Sequence, residues 1–411
     1  MFRLLRSLTP GQRGAVIASY LGWTLDAFDF SILTFVLKDV AKDFVSDVPT
    51  VSWAFFLTLV ARPVGALLAG LAADRYGRRV TLMVVILLFS VFGPASGLAL
   101  NLTMFLILRL AFGVAMGGEW GVGAALAMET IPTQARGLVS GVLQTGYPSG
   151  FLLAAITYLA LYGLIGWRGM FMVGALPALL LVLYICIKVE ETPAFLIRAG
   201  THTASAGAFL TRIAGILRAH AGRFLYAVLL MTAFNFLSHG TQDLYPTLLQ
   251  VQRGFAQDTV GLIAIVSNVG AILGGVLVGA LSQRAGRRRA IVIAALLVLP
   301  VILFWAYGTG PVMLAAGAFL MGFAVQGAWG VVPAHLTELS PGALRGTFPG
   351  FAYQLGNLLA SPTAPIQASI AQANGGNYAF ALATVTTIAA FTLAVLAAFG
   401  KEAHSVDFEA G

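Results

Sequence analysis

Gly70-Leu-Ala-Ala-Asp74-Arg75-Tyr-Gly77-Arg78-Arg79 returns later in the chain as Gly279-Ala-Leu-Ser-Gln283-Arg284-Ala-Gly286-Arg287-Arg288, an offset of 209 positions in 411 residues. The same register lays Gly113, Gly118, Trp120, Glu129, Pro132, Arg136, Gly137 and Gly141 over Gly322, Gly327, Trp329, Glu338, Pro341, Arg345, Gly346 and Gly350. One ungapped register through several segments marks an internal duplication, so the chain reads as two copies of one unit.

The segments between these landmarks are apolar. Hydrophobic residues make up 59% of the chain and charged ones 10%, and the mean hydropathy is +0.89. A helix needs about 20 apolar residues to cross a hydrocarbon layer roughly 30 Å thick. Runs of that length are read at 15–37, 50–73, 80–100, 102–127, 137–163, 169–188, 223–249, 257–282, 289–308, 311–336, 346–371 and 376–399. They are continuously apolar and rich in Gly rather than alternating, which excludes a transmembrane barrel. The expected fold is an all-α membrane protein, twelve transmembrane helices in two six-helix bundles, 1–188 and 223–411, with a linker at 189–222. An even number of spans per copy gives both halves the same orientation, with a binding site between them near mid-membrane.

Net charge is +8, and its distribution decides its meaning. With a cytoplasmic N-terminus, 18 of the 24 Lys and Arg fall on the cytoplasmic side, 4 (Lys38, Lys42, Arg168, Arg253) on the other and 2 (Arg62, Arg109) within spans. That bias sets both termini in the cytoplasm and makes anionic lipid, not nucleic acid, the partner of the basic loops. In the linker, Phe209, Leu210, Ile213, Ile216 and Leu217 recur at helical spacing between Arg212 and Arg218, the pattern of a surface helix, although a plain tether would also serve. The lone Cys186 lies within a span, is read as packing, and permits no intrachain disulfide. The basic N-terminus, Met1 to Arg13, precedes an apolar run too long for a signal peptide, so that run is expected to be a retained span.

Charged groups inside spans are costly and are functional candidates by default. Asp26 and Asp29 share a face of span one and overlie Asn235 and Ser238 of span seven, so the same face is acidic in only one half. Two close carboxylates do not both ionise readily in a low dielectric, which suits one of them to carry a proton. Asp29, near the outer third, could instead simply cap or hydrogen-bond a neighbouring helix. Arg62, before Pro63, overlies Ala271, and Arg109 overlies Ala318. Either guanidinium could grip a carboxylate through two parallel hydrogen bonds. Depth favours Arg62 for substrate and Arg109 for an ion pair with an acid. From Arg109 the stripe Gly113, Gly117, Gly121 allows close approach of another helix. Glu119 overlies Ala328 and either couples protons or reaches the interface. In span seven, Asn235, His239, Asp243 and Thr247 step by four along a polar stripe that includes Gln242, and His239 and Asp243 can pair. Gln144, Tyr147, Tyr353, Gln354 and Asn357 are uncharged candidates for the pocket wall or for gluing helices.

The loop GLAADRYGRR resembles the signature loop of the major facilitator superfamily, and the likeness covers the whole chain. The resemblance implies a cytoplasmic gate in which Asp74, Arg75, Arg78 and Arg79 latch the halves, with Gln283 making the second copy unequal; the arginines could also be plain topology determinants. The span-seven pattern N-x-x-S-H-x-T-Q-D-x-x-x-T resembles that of lactate and pyruvate:proton symporters in the sialate:proton symporter family, as do WTLDAFDF and GGEWGVGAALAMETIPTQARGLVSG. This resemblance implies substrate binding and coupling by Asn235, His239, Gln242, Asp243 and Thr247, and a span-four role for Arg109 in proton coupling.

The resulting expectation is an alternating-access symporter of a small anionic carboxylate such as lactate or pyruvate, acting as a monomer in a bacterial inner membrane. Arg62 with Asn235, His239, Gln242, Thr247, Tyr353 and Gln354 would bind substrate, and Asp26, Asp29, Asp243, Arg109 and Glu119 would handle protons. The proton is the coupling ion, and no cofactor or metal is expected. Sialic acid or another organic acid is the alternative cargo, and a carboxylate sensor that moves nothing is the alternative from another class. An enzyme is not expected, because no nucleophile and base, metal cluster or phosphate loop is visible.

Overall fold

In a computed structural model of the chain, residues 8–46, 48–199, 211, 215–403 and 406 are described, and they form helices and turns without a strand. The first half comprises α1 (Pro10–Asp43), α2 (Val48–Tyr76), α3 (Arg78–Gly97), α4 (Leu102–Thr130), α5 (Arg136–Gln144), α6 (Gly146–Val173) and α7 (Ala175–Lys188). After a short α8 (Pro193–Ala199), the second half comprises α9 (Ala221–Gln242), α10 (Tyr245–Thr247), α11 (Gln257–Ala285), α12 (Arg287–Trp305), α13 (Pro311–Trp329), α14 (Val332–Leu339), α15 (Phe348–Ala360), α16 (Thr363–Ala373) and α17 (Tyr378–Phe399).

Among the described residues, ten helical stretches are long and apolar enough to cross a membrane. The other two expected spans, 137–163 and 346–371, are helical but broken. The first turns at Thr145, between α5 and α6, and the second at Ser361-Pro362, where Pro362 offers no N–H and restricts the residue before it. Spans five and six meet within α6, at Gly166, whose φ of 61° is a conformation that a side chain would oppose. Span seven also departs from a straight rod. Its helix stops at Gln242, and Pro246 begins a short turn that leads into a π-helical stretch, Leu248–Gln252.

Glycines set the helix spacing. A Cβ at Gly113 would overlap the backbone of Thr58, and one at Gly117 the backbone of Arg62, so α4 lies directly against α2. The second copy repeats this contact with Gly322 against Ser267 and Gly274 against Phe323. Gly121, the third member of the expected stripe, meets Gly350 of the other half instead.

Of the expected linker helix, Phe209, Leu210, Arg212 and Ile213 lie outside the described residues, whereas Ile216 and Leu217 are helical and pack on the core of the second half. The first seven residues also lie outside. Cys186 departs from its expected packing role: it sits on an outward face beside Met83, at 3.3 Å between sulfurs. The residue type suited a packed apolar position, but the helix turns it toward the lipid-facing exterior.

Candidate transport site and gate

The two halves are locked together on the side where the basic loops lie. Asp74, at the end of α2, accepts hydrogen bonds from Gly346 N (2.8 Å), Thr347 N (3.0 Å) and Thr347 Oγ1 (2.8 Å) across the interface. Its counterpart Gln283 accepts one from Gly137 N at 3.1 Å, and Gly137 is itself the counterpart of Gly346. The latch therefore follows the duplication but is unequal: a carboxylate holds three donors of the other half on one side, and a neutral amide takes its place on the other.

Each latch residue is steadied within its own half. Arg78 Nη2 lies 2.9 Å from Asp74 and 3.1 Å from Glu129, and Arg287 grips Glu338 through two contacts of 3.0 Å while reaching Gln283 at 2.9 Å. Glu191 accepts from the N–H groups of Arg78 and Arg79, and Glu402 from those of Arg287 and Arg288, so each glutamate caps a helix start with negative charge. Of the four residues expected to form the gate, Asp74 bonds across the halves through its side chain. Arg78 supports it, Arg79 bonds the Cys186 carbonyl within its own half, and Arg75 lies over the Tyr76 ring. Ser140 and Gln144 complete the seal, accepting from Ala334 N and Gln326 Nε2 respectively.

On the opposite side the halves part. A cleft of about 530 Å³ is lined by Phe55, Phe56, Leu59 and Val60 of α2, by His239 and Asp243, and by the α15–α16 segment from Asn357 to Pro365. His239 Nδ1 lies 3.1 Å from Asp243 Oδ2, the expected i,i+4 pair, and Nε2 lies 3.1 Å from Asn357 Oδ1. Both imidazole nitrogens are thus engaged, one by an acid and one by an amide from another helix. Both side chains of the acid pair remain partly exposed, at 31% and 37%.

Below this cleft, one turn further along α2 from Leu59, Arg62 is buried. Its Nη2 contacts Met116 Sδ at 2.6 Å and its guanidinium lies 5.0 Å from the Phe30 ring, while Nε has no partner. No carboxylate among the described residues pairs with it. Asp26, Tyr147, Tyr353 and His239 surround it within electrostatic reach. Asp26 is fully buried and neither of its carboxyl oxygens is hydrogen-bonded. Tyr353 is wedged against Trp120 and Trp329, with ring centroids 4.8 and 5.5 Å away, which fixes one wall at the seam between halves. A buried cation with no salt bridge among the described residues, set beside two tyrosine hydroxyls and an unbonded acid, is arranged to receive an anion.

Arg109 occupies a different place. It donates to Ser96 Oγ at 2.7 and 3.0 Å and is boxed by Phe112, Phe171 and Phe105, with Asp29 within electrostatic reach. The ion pair expected of Arg109 is not formed among the described residues: both Asp29 carboxyl oxygens are unbonded, and the two groups lie inside the first half, away from the cleft. The remaining span-seven residues diverge. Asn235 is buried and donates to the Met231 carbonyl of its own helix, and Gln242 is exposed and donates to Ser238. Thr247 falls beyond the helix break, so the stripe read from four-residue steps bends before its last member. Gln354 is buried with its Oε1 unbonded. Asn357 and Tyr147 stand closer to the charged centre than spacing alone could show, because both arrive from other helices.

A bundle of two repeated halves, sealed on one face and cleft on the other around buried charge, defines a multi-pass membrane transporter. Residues 19–256 and 228–410 match the Major Facilitator Superfamily. The chain is 30% identical over 391 residues to a carboxylic acid transporter protein homolog of Saccharomyces cerevisiae, covering 89% of this chain but only 62% of that protein. It is 25% identical to the sialic acid transporter NanX of Escherichia coli over 85% of each chain. Its fold superposes on the proton:xylose symporter XylE with a TM-score of 0.77 at 18% identity, covering 95% of both chains. The chain belongs to the major facilitator superfamily, a family of transporters and not of enzymes.

Proposed function

We propose that this transporter carries a small monocarboxylate, such as lactate or pyruvate, inward together with a proton by alternating access, with both termini cytoplasmic in a bacterial inner membrane. The observation that carries this reading is Arg62, a buried guanidinium below the cleft that pairs with no carboxylate among the described residues. A substrate carboxylate supplies the missing anion and can accept two parallel hydrogen bonds from it. With the basic face inside, the conformation described is open outward, and the Asp74 latch holds the inner side shut.

Protons are handled by Asp26, Asp29 and the His239–Asp243 pair. Loading a proton with the anion leaves the occupied site without a net uncompensated charge, which eases the rocking of one half against the other. The carboxylic acid and sialic acid relatives support an organic acid as cargo. A larger acid is the second reading, favoured by the size of the cleft, about 530 Å³.

Ligand-induced thermal stabilisation of the purified protein tests the proposal, with lactate, pyruvate, acetate and sialic acid each presented at two pH values. The expected result is stabilisation by lactate or pyruvate that Arg62→Ala abolishes. Stabilisation by sialic acid alone would favour the second reading, and equal stabilisation of Arg62→Ala would remove the anchor.

A further inference from the structure

Glu119 lies in α4, fully buried, with both carboxyl oxygens unbonded. Its bed is made of glycine: a Cβ at Gly22 would collide with Oε1, and one at Gly123 would come within 3.4 Å of it. The carboxyl borders a cavity of about 10 Å³, lined also by Ser19, Trp23, Trp120, Leu143 and Pro333. That volume is about what one water molecule requires. Ser19, whose hydroxyl donates to the Gly123 carbonyl at 2.8 Å, supplies a further polar atom to the wall.

The second half shows what this position needs for packing alone. Gly22, Glu119 and Gly123 overlie Met231, Ala328 and Val332, all buried. The apolar trio fills the same place in the duplicated bundle, so the fold does not require an acid there. In the first half glycines stand where the second half has Met231 and Val332, and the carboxyl they make room for receives no donor. An ionised carboxylate in such a bed is costly, and binding a proton relieves the cost.

The neighbours give the acid a direction. Asp26 of α1 is the charged group within electrostatic reach of Glu119, and Arg62 of α2 acts on Asp26 from its other side. Tyr147 and Tyr353 stand around Arg62, and His335 of α14 faces Arg287 and Arg288. Along α1, Asp26 precedes the cavity residues Trp23 and Ser19 on the way to the basic face, and Pro333 and Leu143 belong to the elements that seal that face. The cavity thus lies between the central charges and the closed gate.

Resting on the proton-coupling reading above, we infer that Glu119 and its water-sized cavity form the inward exit of the proton path. A proton leaving Asp26 transfers to Glu119, and opening of the basic face lets water into the cavity to take it. The carboxyl of Asp26 is then ionised beside Arg62, which accompanies release of the substrate anion.

The test uses the full-length protein in proteoliposomes with labelled lactate, comparing the wild type, Glu119→Gln and Glu119→Asp. Net uptake requires the proton to be released, whereas exchange of internal for external substrate does not. Glu119→Gln should lose net uptake driven by a pH gradient by about tenfold or more, while exchange stays near wild type and Glu119→Asp recovers part of the loss. Gradient-driven net uptake by Glu119→Gln at the wild-type rate would overturn the exit assignment alone. A wild type indifferent to the gradient would overturn the coupling itself. Infrared difference spectra of the purified protein, taken across pH, need no substrate: a protonated-carboxyl band present in the wild type should be missing in Glu119→Gln, and an unchanged spectrum counts against the inference.

Discussion

The Asp74 carboxylate meets the Gly346 N–H at 2.8 Å, and the Gln283 amide oxygen meets the Gly137 N–H at 3.1 Å, so one contact is built twice from residues 209 positions apart. Only the first is charge-assisted, and it alone extends to both polar groups of Thr347.

This inequality sets the first expectation. Hydrogen bonds to a charged group contribute about 1.5–3 kcal/mol, against about 1 for neutral ones, so Asp74→Asn should open the basic face far more than Gln283→Ala. Alkylation of single cysteines placed along that interface would report the difference; equal effects from the two substitutions would contradict it.

Arg62 is expected to tolerate no shortening. Lysine keeps the charge but loses the planar fork, so Arg62→Lys should raise the half-saturating substrate concentration by about tenfold or more, and Arg62→Ala by more still. Arg109→Lys should change substrate affinity little, because that guanidinium is boxed by Phe112 and Phe171 inside the first half. Equilibrium binding of labelled lactate separates the two residues.

Asn357 should matter through His239. Replacing it with Leu leaves the Nε2 of a partly exposed imidazole without its partner, and the pH profile of uptake should move in the same direction as for Asp243→Asn. A profile unchanged in Asn357→Leu would mean that the contact has no part in tuning the imidazole.

Gly117→Val tests the packing that clamps Arg62. The new side chain would press on the Arg62 backbone, and overpacking of this kind costs about 1–3 kcal/mol, so the melting temperature should drop. Gly163→Ala, where nothing lies within 4 Å, is the control and should leave it unchanged.

Much of this architecture was legible because duplication and hydropathy act over long stretches. The repeat announced the paired latch, and the four-residue step announced the His239–Asp243 pair. Contacts between distant helices were not legible. Asn357 reaches His239 across 118 positions, and nothing local to either residue encodes that meeting. Depth ranked Arg62 above Arg109, but only the fold shows one guanidinium beneath the cleft and the other enclosed by rings. Nor does the four-residue step show that the span-seven helix ends at Gln242, with Pro246 opening a separate turn that carries Thr247 out of line.

Proton-coupled carriage is tested most directly by the initial rate of labelled lactate uptake into proteoliposomes of the full-length protein, with and without an imposed gradient, acid outside. Proton-coupled carriage of a monocarboxylate requires the gradient to accelerate uptake and to drive lactate above its equilibrium level, and Arg62→Ala to show neither effect. Uptake that ignores the gradient, or that persists in Arg62→Ala, would contradict it.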